Sequence, residues 1–209
     1  MAIIRNGILG GFKGKVASVV GYNLKGQDIM RGVADPRSVP STENELKNQN
    51  KFAVTQPWLQ ALTPFLRVGF QDYDPKFEGF NAAKSYNNKN AVKEGASGFY
   101  VDPALALVSY GDMDQAPEAS ASSESANTVT FKWEGGNFAY DDRAMVVVYD
   151  IEGGKAEYDT AAANVQKKQF VFQLNHVFSG KQVHVYLAFV SEDRKRRSNS
   201  QYLGIVEVQ

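Results

Sequence analysis

The chain has no cysteine, and that absence removes disulfide staples, thiol nucleophiles and thiolate metal sites together. Histidine is scarce too. His176 and His184 stand alone, too few for a His-rich metal centre. No run approaches the roughly 20 apolar residues that a membrane-spanning helix needs. The opening MAIIRNGILGG is broken by Asn6 and Gly7 and lacks the apolar core of about 7–15 residues of a secretory signal. The expectation is a protein made in the cytoplasm without a signal peptide or membrane span, particle-borne or extracellular only after release. Net charge is missing as well, since 23 Lys+Arg balance 23 Asp+Glu. The balance is uneven along the chain. Residues 1–110 hold 13 basic and 9 acidic side chains, and residues 111–209 hold 10 and 14. Such polarity favours head-to-tail contact between copies.

Catalytic signatures are equally sparse. GGFKGK invites a phosphate-loop reading, but Leu9 stands where that pattern needs its first glycine and Val16 follows Lys15 in place of a hydroxyl. The residues after it are β-branched, so no helix N-terminus is at hand for an anion. His176 with Asp141 or Asp142 could form a serine triad only on paper, because no G-x-S-x-G elbow accompanies them. Asp72 with Asp74, and Asp112 with Asp114, are carboxylate pairs without a complete calcium loop. No catalytic residue, metal ligand, cofactor or small-molecule substrate is assigned, and the reading is non-enzymatic.

What is present begins at Gly10–Arg31. Glycines and lysines lead into Val16, Val19 and Val20, a turn at Asn23–Gly26 and a second strand, which is a hairpin pattern. Gly14, Val16, Val19, Val20, Tyr22 and Gly26 are its central positions, with Trp58, Leu62 and Phe65 expected as helical support. An isolated hairpin is marginal and must pair with something. Thr42-Glu43-Asn44-Glu45 is a capping box that starts a helix towards Gln56. Pro57 suits the first turn of a second helix, and Pro64 would kink or shorten it. Asn81–Lys93 forms a short third helix.

From Ala104 the period changes to that of strands. Ala104–Tyr110, Thr128–Trp133, Ala144–Tyr149, Lys155–Tyr158, Gln169–Leu174, Val183–Val190 and Gln201–Val208 make seven, separated by Gly- and Ser-rich turns. Residues 112–127, acidic and Ser/Ala-rich, read as a mobile loop. Val129, Phe131 and Trp133 alternate with polar neighbours and belong to a core. In the sixth strand His184 faces away from the apolar series, towards solvent. Arg194–Arg197 is read as a solvated turn tip. The expected fold is α+β: an N-terminal hairpin with short helices over residues 1–103, then a seven-strand all-β sandwich over 104–209.

Trp133 closing the second strand, the long KQVHVYLAFVS strand and the SNS turn before the last strand resemble the fibronectin type III group of immunoglobulin-like sandwiches. That resemblance implies a binding, spacing or assembly module. The whole chain is similar to a family of uncharacterised proteins of about this length, widespread in Bacteroidota. GGFKGKVASVVGYNLKG, KFAVTQPWLQAL, FNAAKSYNNKNAV and VHVYLAFVSEDRKRRSNSQYLG carry the likeness. It implies no catalytic residues. The reading that follows is a structural protein that self-associates into an oligomer, filament or phage-like particle, its partner being itself. A nucleic-acid-binding module using Lys13, Lys15, Lys25 and Arg31 is the alternative, and a monomeric protein-binding adaptor is the second.

Overall fold

The computed structural model describes residues 3–4, 10–24, 26–73 and 78–209. Ile8, Leu9, Lys25, Asp74 and Phe77 lie outside the described residues. The chain divides into two compact units, Met1–Thr42 and Glu43–Gln209.

The first unit is an antiparallel sheet of β1 (Ile3–Ile4), β2 (Phe12–Val16), β3 (Val19–Leu24) and β4 (Gln27–Gly32) in chain order. The expected hairpin is therefore the middle of a larger meander. Gly26, at φ +84°, turns β3 into β4, and its amide donates to Asn23 Oδ1 at 3.0 Å.

The second unit opens with α1 (Glu43–Gln60), α2 (Thr63–Gly69) and α3 (Gly79–Asn90). Helix α1 runs on through Pro57, and it is Pro64 that sits in a first turn, that of α2. A proline costs a helix only the bond its missing N–H would make and a local clash. The buried face of Thr55, Trp58 and Leu59 carries α1 across it. Then come a hairpin, β5 (Val92–Gly95) and β6 (Gly98–Val101), and the strands β7 (Glu118–Ser122), β8 (Thr128–Glu134), β9 (Arg143–Asp150), β10 (Lys155–Asn164), β11 (Gln169–Gln173), β12 (Gln182–Val190) and β13 (Gln201–Glu207). They form a four-stranded sheet, β10-β9-β12-β13, and a three-stranded sheet, β11-β8-β7. The class is α+β with several antiparallel sheets.

Two hydrophobic cores organise this unit, and the four-stranded sheet belongs to both. Val146 and Val148 of β9 join Val129, Phe131 and Trp133 of β8 and Val185, Leu187 and Phe189 of β12. On its other face Met145, Val147 and Tyr149 meet Trp58, Leu62, Phe65 and Leu66 of the helices. A strand covered on both faces reads as a continuous apolar run, and AMVVVY is one. Trp58 packs edge-on against Tyr149 at 5.3 Å, and the Tyr149 hydroxyl donates to the Trp58 carbonyl at 2.8 Å.

Four expectations change as a result. The division between the units falls after Thr42, and none falls at 103/104, because the helices share a core with the sheet. Trp58, Leu62 and Phe65 are buried against that sheet. Tyr186, Ala188 and Val190 face the helices, so the side of β12 that His184 shares is largely covered. The first of the seven strands is not Ala104–Tyr110. That segment is held by scattered bonds: the Leu107 amide to Asn87 Oδ1 (2.9 Å), the Val108 amide to Ser200 Oγ (2.9 Å) and the Tyr110 amide to the Gly69 carbonyl (2.9 Å). The sheet strand is β7, inside the stretch read as a mobile acidic loop. Its Ala119 and Ala121 pack on the core while Met113 and Ala116 before it are buried. Small side chains at a sheet edge look like loop by composition, and only pairing with β8 reveals the strand.

Candidate functional site

The residues singled out near the N-terminus come together on the first unit's sheet, and strand register sorts them onto two faces. Directly paired residues share a face. Gly14 pairs with Gly21 and Val16 with Val19, while Met30 and Gly32 follow opposite Gly21 and Val19. This face is apolar or glycine, with Asp28 at its end held by Asn23 Nδ2 at 2.9 Å. The Phe12 ring lies over Gly21, where an added Cβ would meet ring carbons at 2.7 Å, so glycine is required there. The opposite face carries Lys15, Val20 and Arg31 in one row across three strands, with Tyr22 paired to Ile29 beside it. Lys13 is on that face as well, two residues before Lys15. Of the assembly positions, Gly14, Val16 and Val19 thus lie on the apolar face, Val20 and Tyr22 on the basic one, and Gly26 in the turn.

Among its described side chains this sheet has almost no interior. Among the described residues of the first unit only Gly21 is buried, and Val16 and Met30 are 49% and 68% exposed. In the second unit, by contrast, apolar side chains fill two cores.

The second unit offers open clefts. One of about 450 Å³ is lined by Asp150, Glu152, Lys181, Gln182 and His184 at the end of β9 and β12. Lys181 Nζ reaches the Asp150 carboxylate at 2.7 Å, and the Gly153 amide donates to it at 2.8 Å. Burial acts to raise the Asp150 carboxyl, but those two hydrogen bonds and the charges of Lys181 and Lys155 outweigh it and hold it below the usual range. His184 Nδ1 lies 2.9 Å from the Tyr202 hydroxyl, with the rings stacked. Burial pushes the imidazole below its ordinary value.

Both groups hold their protons less tightly in the folded protein than in the unfolded chain, so both contributions are present at neutral pH and lost on acidification. For His184 the loss begins as pH falls through about 6.5, and for Asp150 as it falls through about 3.9. Melting temperature against pH is therefore expected to drop in two stages, and His184→Gln to remove the upper one. A melting temperature flat from pH 7.5 to 5 would contradict this assignment.

Of the remaining sequence candidates, Asp72 and Asp112 line one cleft with Lys195, Arg196 and Arg197. His176 is exposed in a 3-10 turn, and Asp142 is buried with its carboxylate on the Ala139 amide at 2.8 Å. Among the described residues no three His, Asp or Glu side chains gather as a metal site, and no helix is long and apolar enough to cross a membrane. The basic run Arg194–Arg197 is not wholly a solvated tip. Arg197 is buried and reaches Asp72 at 2.7 Å and Gln71 Oε1 at 3.0 Å. Sequence reasoning missed it because a buried arginine next to three exposed basic residues has no local signature.

Residues 11–204 match the model of a family of unknown function, DUF6266, and the chain belongs to that family. Comparison with curated proteins found no match. Among solved structures, a family 76 glycoside hydrolase from a bovine Bacteroides thetaiotaomicron strain is similar at 15% identity and a TM-score of 0.38. The likeness covers 46% of this chain and 20% of that one. At that level it carries no argument about fold or activity.

Proposed function

We propose that the chain is a non-enzymatic structural protein that self-associates through the apolar face of its N-terminal sheet, building an oligomer, filament or particle. One observation carries this reading: a four-stranded sheet whose described side chains leave it without a core of its own. Units of about 40 residues need a metal, a disulfide or a partner surface to be stable, and the cysteine-free sequence supplies no disulfide. A face of Val16, Val19, Met30 and glycines, with Asp28 at its end held by Asn23, can meet its own copy with little like-charge repulsion, whereas the opposite face, with Lys15 and Arg31, cannot. Edge pairing through β4 is the natural extension, since an exposed strand edge is a template for another chain.

We read the two packed sheets of the second unit as a fibronectin type III-like sandwich, a spacing or display module. Support comes from the seven strands splitting three and four over one shared core. Synthesis in the cytoplasm, with release as part of a particle, completes the proposal.

Light-scattering mass of nuclease-treated protein tests it. The expected species is a defined multiple of the 23.0 kDa chain, reduced to monomer by Val16→Glu with Met30→Glu and unchanged by Lys13→Gln on the other face. A monomer at high concentration and low salt overturns self-association and leaves the monomeric adaptor.

A further inference from the structure

The basic face of the N-terminal sheet is chemically unlike its apolar one. Lys13, Lys15 and Arg31 are exposed on it, and Val20, Tyr22, Leu24, Gln27 and Ile29 are its other residues on β2, β3 and β4. Among the described residues of β2–β4 it holds no carboxylate, since Asp28 belongs to the other face, paired to Asn23. None of the three cations forms an ion pair among the described residues. The Arg31 guanidinium instead lies over the Tyr22 ring, 5.8 Å from its centre. Lys13 and Lys15 stand two residues apart on one strand, about 7 Å, comparable to a phosphate step of an extended strand. The Lys15–Val20–Arg31 row then sets charge on both sides of an aromatic-apolar floor.

We infer that this face binds single-stranded nucleic acid, Lys13, Lys15 and Arg31 following the phosphates and Tyr22 offering a stacking platform for a base. Single-strand grooves combine these two elements, positive charge along the backbone and π-faces under the bases. A duplex would expose no unstacked base to Tyr22, and an acidic polysaccharide has none. The chain's zero net charge does not oppose this, because the acidic excess lies in residues 111–209.

The test is fluorescence anisotropy of the full chain with an oligothymidylate of about 16 nucleotides. Three phosphate contacts predict an affinity loss of about 20-fold between 50 and 200 mM salt. Lys15→Gln and Arg31→Gln are each expected to weaken binding and flatten that salt dependence, and Tyr22→Ala to weaken it about fivefold or more at constant salt. No binding at 50 mM salt overturns the inference. So does equal competition by heparin with Tyr22→Ala silent, which would mark a general polyanion surface. Because self-association is assigned to the opposite face, the Val16→Glu, Met30→Glu protein is expected to retain binding while losing mass, so the two readings fail separately. Circular dichroism of each variant controls for folding.

Discussion

Val146→Asp and Val147→Asp, neighbours on β9, are each expected to leave the second unit unfolded. On a sheet with one wet face, adjacent residues differ sharply: one substitution is lethal to the fold and the next is tolerated. Here both valines are fully buried, Val146 against β8 and β12 and Val147 against the helices. A carboxylate at either place enters a cluster of apolar and aromatic side chains that includes no cation, and burying an unpaired charge costs several kcal/mol at least. That is comparable to the whole stability of a domain of this size, about 5–15 kcal/mol. The graded version is Val146→Ala against Val147→Ala. Each removes two buried methyl groups, about 0.8 kcal/mol apiece, and leaves a small cavity, for about 2 kcal/mol at each site. Urea unfolding followed by circular dichroism measures both. A near-neutral Val147→Ala would mean that the helices do not cover the sheet.

Asn87→Ala is expected to cost about 2–5 kcal/mol, a large effect for one polar side chain. Asn87 is fully buried on α3 and clasps the non-strand segment 104–110. Its Oδ1 accepts from the Leu107 amide at 2.9 Å, and its Nδ2 donates to the Leu107 carbonyl at 2.8 Å and the Ala83 carbonyl at 2.9 Å. Alanine leaves both backbone groups of the half-buried Leu107 without these partners, at about 1–3 kcal/mol each. Asn87→Asp also fails, since it keeps an acceptor and loses the donor. Asn90, one turn on and exposed, bonds only the Tyr86 carbonyl. Asn90→Ala should fall within about 0.5 kcal/mol of the parent. Equal stability of Asn87→Ala and Asn90→Ala would exclude the clasp.

These two residues show where sequence reading reaches and where it stops. Val129, Phe131 and Trp133 alternate with polar neighbours, and the structure buries all three, with Trp133 Nε1 donating to the Val165 carbonyl at 3.0 Å. Alternation states which face a strand buries and needs no knowledge of what covers it. For β9 and β12 that missing knowledge mattered, because the face opposite the first core meets a second core built from α1, α2 and α3. In sequence Asn87 is one of several asparagines in Asn81–Lys93, and nothing local tells a clasping asparagine from a solvated one. In the N-terminal sheet Lys13 and Lys15 share a face by simple alternation. That Arg31 joins them and Met30 does not depends on the register of β3 with β4.

By itself the sequence determined the positions of most strands and helices, the α+β class, the family and the absence of thiol chemistry. Those properties follow from local periodicity, capping, turn residues and composition. The tertiary structure alone decided that the helices roof the four-stranded sheet, that Glu118–Ser122 is a strand and Ala104–Tyr110 is not, and that Arg197 is buried on Asp72. It also decided which face of the first sheet is basic and which apolar. Each of these depends on contacts between residues far apart in the chain, and a one-dimensional pattern records that a side chain is to be buried without recording against what.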